Sequence, residues 1–251
     1  MLSHALLGVA MVPVVPMAPG RRRSTVARVA GELAEALLPQ RCLVCGRFGA
    51  ALHEHCLDGL DRAAARRCEA CWAPVSHDPG LCGRCEQASP SFDALRTPLR
   101  FTGDARRALL EAKFRGVTRL IDPLAALAAR AVPLHWQIDA VVPVPLHRSR
   151  QRERGYNQAE IAAQVVARDL ELPLDPSLLR RERRTPAEAH LDAAGRARNL
   201  RGAFAVDGPP PPAVMVVDDI TTTGSTFEEA ANTLRAAGAA TVYALALARE
   251  D

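Results

Sequence analysis

The segment Val214-Met215-Val216-Val217-Asp218-Asp219-Ile220-Thr221-Thr222-Thr223-Gly224-Ser225-Thr226 places an uninterrupted apolar run before two carboxylates, a short hydroxyl-rich loop and the start of a helical pattern. A short apolar run bounded by polar residues reads as a buried strand. A helix start leaves backbone N–H groups without intrahelical partners, and hydroxyls beside them complete a cradle for a phosphate. Adjacent carboxylates suit the hydroxyls of a ribose, or a hydrated Mg²⁺ beside them. Together these describe a site for a ribose 5-phosphate. No Gly-Lys-Ser/Thr occurs, so this is not a P-loop, and no G-x-G-x-x-G follows a strand, so it is not a dinucleotide fingerprint. An acidic pair alone could do no more than cap a helix; the hydroxyl loop next to it argues for a ligand.

A second chemistry is concentrated between Cys42 and Cys85, which enclose all seven cysteines. Cys42, Cys45 and Cys56 recur at one constant offset as Cys68, Cys71 and Cys82, and Cys85 has Gly59 as its counterpart. The second unit, C-x2-C-x10-C-x2-C, is a complete four-thiolate set of the kind that holds structural zinc in a ribbon. The first unit needs a fourth ligand. His53, His55 and Asp58 are the candidates, and His53 is favoured because His53-Glu54-His55-Cys56 keeps a two-residue gap. An empty first site and ligands shared between the halves both remain open at this level.

The elements that must position these groups follow from periodicity. Residues 24–38 carry apolar residues at helical spacing and stop at Pro39. Residues 92–101 read as a strand or hairpin, 104–115 and 120–131 as helices, and 138–144 as a buried strand. Residues 157–170 read as a helix with Ile161, Val165 and Val166 on one face. Ala213–Val217 reads as a strand ending at the two Asp residues, 225–237 as a helix stopped by Gly238, and 241–247 as a last strand. Apolar strands alternating with helices imply an α/β fold, a parallel sheet with helices on both faces. The division expected is a disordered extension over 1–24 (or the product of a mis-set start codon), a helix and double zinc ribbon over 25–90, and the α/β domain over 91–251.

Composition narrows the function classes. Hydrophobic residues at 48% and charged residues at 24% fit a soluble globular chain and exclude a disordered, collagenous or multi-span membrane protein. A net charge of +4 permits anionic ligands without pointing to bulk nucleic-acid binding. The apolar stretch near the N-terminus is too short to span a bilayer, holds Pro13 and Pro16, and has its arginines after it. No membrane span and a reducing cytoplasm are therefore expected. Lys113 is the one lysine among 32 basic residues, which singles it out, because lysine and arginine differ in how they meet a phosphate. The run Arg148, Arg150, Arg152, Arg154 would ordinarily be a solvated face, but its place after a strand end suggests a phosphate role for at least one member. His147 and His190 read as surface histidines.

The strand, acidic pair, hydroxyl loop and helix resemble the phosphoribosyl pyrophosphate (PRPP) motif of type I phosphoribosyltransferases. With Lys113-Phe114-Arg115-Gly116, Val142-Pro143-Val144-Pro145-Leu146, Arg154-Gly155-Tyr156-Asn157-Gln158, Arg196-Ala197-Arg198-Asn199-Leu200 and the cysteine repeat in front, the ordered set resembles the ComF family, including its GntX-type members. The resemblance implies a type I phosphoribosyltransferase-like domain behind a small zinc-ribbon domain. It implies that Asp218 and Asp219 hold the ribose hydroxyls. Thr222, Thr223, Gly224, Ser225 and Thr226, with Thr221 before them, would hold the 5-phosphate. Pro143, Val144 and Pro145 would form the pyrophosphate loop, and Arg180–Asn199 a lid. Lys113 and Arg154 join the acidic pair as expected catalytic groups, and Mg²⁺ is expected with PRPP.

Two departures bear on activity. Thr222 stands where purine transferases commonly carry an acidic base, and Glu188 stands where relatives usually have Gln in the lid. Two functions follow: a phosphoribosyltransferase acting on an unknown acceptor, or a non-catalytic PRPP or nucleotide binder serving competence and DNA uptake or processing. Single-stranded DNA or DNA-uptake proteins are the partners implied by the second, and an oligomer is possible under either. Phe48 and Trp72 are the only aromatics within 42–85, too few for a base-stacking platform, which favours a scaffolding role for the ribbon.

Overall fold

The computed structural model describes residues 40–63, 66–76, 80–183 and 193–251. The helix expected over 24–38, the extension before it, and the middle of the expected lid with Glu188 and His190 lie outside the described residues. The elements below belong to one unit, Arg41–Asp251.

The centre is a parallel sheet. Strand β7 (Thr241–Arg249) pairs with β6 (Ala213–Thr221), β6 pairs with β3 (Ala140–Pro143), and β7's outer edge carries β1 (Ala94–Arg96) and β2 (Leu99–Arg100) in line. Ala94 faces Tyr243 and Leu99 faces Ala248, both parallel, so the segment expected as a strand or hairpin is one extended edge interrupted once. The interruption is at Thr97-Pro98. Proline brings no N–H to a ladder, and the Thr97 and Pro98 carbonyls accept from Trp72 and Ala63 instead.

Parallel neighbours need a crossover, and a helix supplies it. Helix α8 (Ser225–Ala236) joins β6 to β7 and buries Phe227, Ala230, Ala231 and Leu234. The other face is covered by α3 (Gly103–Phe114), α4 (Ile121–Ala129, after a single 3-10 turn) and α6 (Gln158–Asp169). Successive strand residues alternate between the faces. Val214 and Val216 pack with Phe227 and Leu234, whereas Met215 and Val217 pack with Ile121, Leu124, Ala162 and Val166. Alanines at the α4 and α6 contacts let these helices approach closely. A second, two-stranded antiparallel sheet, β4 (Leu179–Arg181) with β5 (Phe204–Val206), carries α7 (Ala193–Leu200) between its strands.

The cysteine region is two copies of one knuckle packed against this sheet. In the first, Cys42 N donates to Arg47 O and Gly46 N to Cys42 O; in the second, Cys68 N donates to Ala73 O and Trp72 N to Cys68 O. The residue after the second cysteine is left-handed in both, Gly46 at φ 71 and Trp72 at φ 60. That conformation is costly for an aromatic side chain. Trp72 is held there by its indole N–H on Thr97 O at 2.8 Å and by the Arg96 guanidinium 4.3 Å over its ring. Helices α1 (Glu54–Asp58) and α2 (Gly83–Gln87) close the two units. Cys42, Leu52, Cys56 and Leu60 join the core on the α3–α4–α6 face, and Cys68, Cys71 and Cys85 join the α8 face.

Candidate functional site

Strand β6 does not stop at Val217. Its ladder with β7 continues to Thr221, opposite Arg249, so Asp218 and Asp219 sit within the strand and not after it. The polar residues are kept in the ladder because β7 also runs further than its apolar core, to Arg249. Each carboxylate accepts the next backbone N–H: Asp219 N to Asp218 Oδ1 at 2.8 Å, and Ile220 N to Asp219 Oδ1 at 2.9 Å. Desolvation, and then the charge of Asp219, raise the Asp218 pKa well above the usual carboxylate range, with Lys113 opposing.

Lys113, in the last turn of α3, places Nζ 3.3 Å from Asp219 Oδ2. Arg154 ends α5 (Arg148–Arg154), where Gly155 turns the chain at φ 81. From there a short stretch ties three elements together. Tyr156 Oη donates to Ala112 O at 2.5 Å, on α3. Asn157 Nδ2 donates to Val144 O at 3.0 Å, in the loop after β3, while its Oδ1 accepts Ala159 N and caps α6. Gln158 Nε2 reaches Lys113 O at 3.5 Å and its Oε1 accepts from Arg154 at 2.8 Å.

These residues enclose a cleft of about 630 Å³. Asp218 and Asp219 lie on its floor. Lys113, Arg150, Arg154 and Arg181 reach it from α3, α5 and β4, and Thr226 from the first turn of α8. Glu153 of α5 adds a third carboxylate to the lining. The Asp218–Asp219 pair with four cations around it can take a ligand carrying both hydroxyls and anionic groups. Val144 lines the cleft, whereas Pro143 is buried at the end of β3 and Pro145 is half-buried. Thr221 is buried in β6, where its carbonyl accepts Glu250 N. Thr222 is half-buried. Thr223, Gly224 and Ser225 line a neighbouring pocket of about 330 Å³ that is shared with the ribbon.

Among the described residues, two clusters could hold a metal: Cys42, Cys45, His53 and Cys56, and Cys68, Cys71, Cys82 and Cys85, each with its ligand atoms within 4.8 Å of one another. Tetrahedral zinc with bonds of about 2.3 Å needs sulfurs roughly 3.8 Å apart, which side-chain adjustment reaches from here. The donor sets fit structural zinc, and each comes from one half of the repeat without sharing. His53 completes the first; His55 and Asp58 are not in it. His53 Nδ1 lies 3.4 Å from Cys45 Sγ, and Nε2 lies 3.2 Å from Phe48 O, the carbonyl that orients a ligating imidazole. The cysteines of this cluster titrate apart. Desolvation opposes ionisation of Cys42, but hydrogen bonds from the Cys45 and His53 backbones outweigh it and draw the thiol down to about 6. Burial and then its thiol neighbours push Cys56 up to about 11.

The halves align differently from the cysteine offset. His53 is the N-cap of α1 at φ −75, ψ 155, and Cys82 is the N-cap of α2 at φ −79, ψ 156. Cys56 and Cys85 both lie within the helix that follows. His53 is therefore the structural counterpart of Cys82, and Cys56 that of Cys85, so the pairing of Gly59 with Cys85 is corrected.

The DNA utilization protein YhgH of Salmonella typhimurium is 34% identical over 223 residues, 84% of this chain and 98% of that protein. Competence protein F of Haemophilus influenzae is 31% identical over 145 residues, 55% of this chain and 63% of that protein. The chain belongs to the ComF family. No family model matches it. Among solved structures, the ComF-family chain overlaps an orotate phosphoribosyltransferase from Aeropyrum pernix at TM-score 0.29 and 22% identity, over 57% of this chain and 76% of that one. It overlaps the allosteric regulatory enzyme of purine biosynthesis at TM-score 0.36 and 21% identity, over 51% of this chain and 25% of that one.

Sequence reasoning gave this ComF protein's Asn157 and Gln158 no role, although both are buried polar residues that lock the cleft wall. It also passed over Phe114, which lines the cleft while 71% exposed. Their presence in two short ordered motifs was the available signal. His147, expected as a surface residue, caps α5 through Nδ1, which accepts Ser149 N. No helix among the described residues is long and apolar enough to cross a membrane.

Proposed function

We propose that the cleft binds PRPP with Mg²⁺ and that the chain acts as a PRPP-dependent factor in DNA utilisation. The observation that carries the reading is the placement of Asp218 and Asp219 on the floor of a cleft lined by four cations, with Glu153 beside them, that also admits the first turn of α8. Asp218 and Asp219 would hold the ribose hydroxyls, the start of α8 the 5-phosphate, and Arg150, Arg154 and Lys113 the pyrophosphate. Mg²⁺ would neutralise pyrophosphate charge. The two cysteine clusters would hold structural zinc. The names of the relatives support the DNA-related role.

A second step, transfer of the phosphoribosyl group, is favoured by Arg181, which brings a cation to the cleft from a separate sheet. In that step the bond from the anomeric carbon to pyrophosphate breaks, pyrophosphate leaves with the electron pair, and an acceptor atom forms the new bond. The protein's share is positioning and electrostatic stabilisation. Thr222 offers no general base, a contribution worth about 10²–10⁴-fold, so the acceptor has to arrive as an anion or otherwise self-activated.

The test is calorimetry with PRPP and Mg²⁺, followed by pyrophosphate release with hypoxanthine, guanine, orotate, uracil, nicotinate and anthranilate. Binding is expected, with no turnover of hypoxanthine or guanine. Absence of PRPP binding overturns the reading. Binding with silence across the panel reduces the function to a sensor.

A further inference from the structure

An arginine side chain ties the half of the ribbon that ends in Cys82 and Cys85 to the hydroxyl loop. Arg84 lies between those two cysteines, in the first turn of α2, and its Nη1 donates to the carbonyl of Thr223 at 2.5 Å. Thr223 opens the turn that starts α8. Gly224 is left-handed at φ 81, and Thr223 Oγ1 lies 2.6 Å from Ser225 Oγ. The Phe92 ring, 3.7 Å from where a Cβ on Gly224 would sit, backs the same turn. Arg84, Cys85 and Phe92 on one side and Thr223, Gly224 and Ser225 on the other form the walls of the smaller pocket.

A turn that receives an anion must offer its N–H groups and keep its carbonyls elsewhere. A guanidinium fixed on the ribbon side takes up the Thr223 carbonyl and so removes a negative dipole from the ligand side. Arg84 is fixed because its own turn lies between two members of the four-cysteine cluster.

We propose that Arg84 is a positioning residue. Through it the metal-loaded knuckle of Cys68, Cys71, Cys82 and Cys85 holds the Thr223–Ser225 turn in its phosphate-receiving shape, so that metal occupancy of the ribbon sets the affinity of the cleft for a 5-phosphate. The inference rests on the reading of the cleft as a PRPP site, but the state of the turn can be measured without PRPP.

The experiment compares full-length wild type, R84A and R84K by zinc content, by amide hydrogen exchange over 223–226, and by calorimetry with PRPP and Mg²⁺. R84A is expected to keep the wild-type zinc content, exchange faster over 223–226, and bind PRPP about tenfold more weakly, the scale of one lost charge-assisted hydrogen bond. R84K, which can still donate to the carbonyl, should recover most of both. Unchanged exchange and affinity in R84A overturn the proposal. Loss of zinc from R84A overturns it as well, by showing that Arg84 serves the ribbon and not the loop. If the wild type itself fails to bind PRPP, the functional reading falls, and the exchange comparison alone decides whether Arg84 holds the turn.

Discussion

Lys113 Nζ lies 3.3 Å from Asp219 Oδ2, joining the last turn of α3 to the floor of the cleft on β6. An ammonium is a compact point charge that can shift between a carboxylate and an arriving phosphate, which a bidentate guanidinium fork does less readily. This gives a physical reason for the one lysine of the chain to stand here. Asp219→Asn should weaken PRPP binding about a hundredfold, the loss of two hydrogen bonds to a charged group at roughly 1.5 kcal/mol each. Lys113→Met should weaken it less. Calorimetry on both variants is the check, and wild-type affinity in Asp219→Asn would remove the pair from the site.

Asp218 carries a pKa raised by desolvation and by Asp219. The free fold therefore holds a proton that the unfolded chain releases at lower pH. The stability this contributes is full below the ordinary carboxylate pKa and is lost as pH rises through the raised value. Ribose hydroxyls need the ionised pair, so PRPP affinity should rise with pH over the same window and binding should release a proton. Titrations in buffers of different ionisation enthalpy measure that proton, and Asp218→Asn should abolish its release.

Asn157 is buried and makes two bonds at once, to Val144 O and to Ala159 N. Asn157→Ala loses a helix cap and leaves a buried carbonyl unpaired, which should cost roughly 1–3 kcal/mol of stability. Because Val144 lines the cleft, the same variant should bind PRPP more weakly even at temperatures where it is fully folded. Thermal melts paired with titration separate the two effects.

The two ligand clusters predict two zinc ions per chain. His53→Ala should lose one and keep the other, whereas Cys71→Ser should lose the opposite one. Native mass spectrometry of the variants checks the assignment, and His53→Ala retaining full metal would move the fourth ligand elsewhere. Chelation should lower the melting temperature of the whole molecule, because Cys42, Cys56, Cys68, Cys71 and Cys85 are themselves core residues.

What could be read in the sequence was what one segment decides by itself. The helix after Gly224 and the run from Ala213 are local signals. Where β6 ends was not local: the ladder passes through Asp218 and Asp219 because β7 continues beside it. The short strands around Thr97-Pro98 were likewise decided by β7, which pairs with both in the same direction. Helix α5 was missed because Arg148–Arg154 has no apolar stripe; it is framed by the His147 cap and by Gly155 instead. In the first knuckle, cysteine spacing aligned Cys56 with Cys82, whereas backbone shape aligns His53 with Cys82. A histidine in the place of a cysteine hides a repeat from a count of cysteines.

The two knuckles lie against opposite faces of the sheet, and among the described residues this leaves no clean cut between the ribbon and the sheet. A fragment starting at residue 91 would strip Leu52 and Leu60 from one side and Cys68, Cys71 and Cys85 from the other. Aliphatic surface on both sides of the strands would meet water, and such a fragment should collect in inclusion bodies. The reverse fragment would keep its ligands but lose Thr97 O, the acceptor that helps hold Trp72 left-handed. Transplanting the ribbon onto another protein would therefore mean carrying the β1–β2 edge with it. The part that reads in sequence as a separate small zinc-ribbon domain is built as a clamp with a jaw on each side of the sheet.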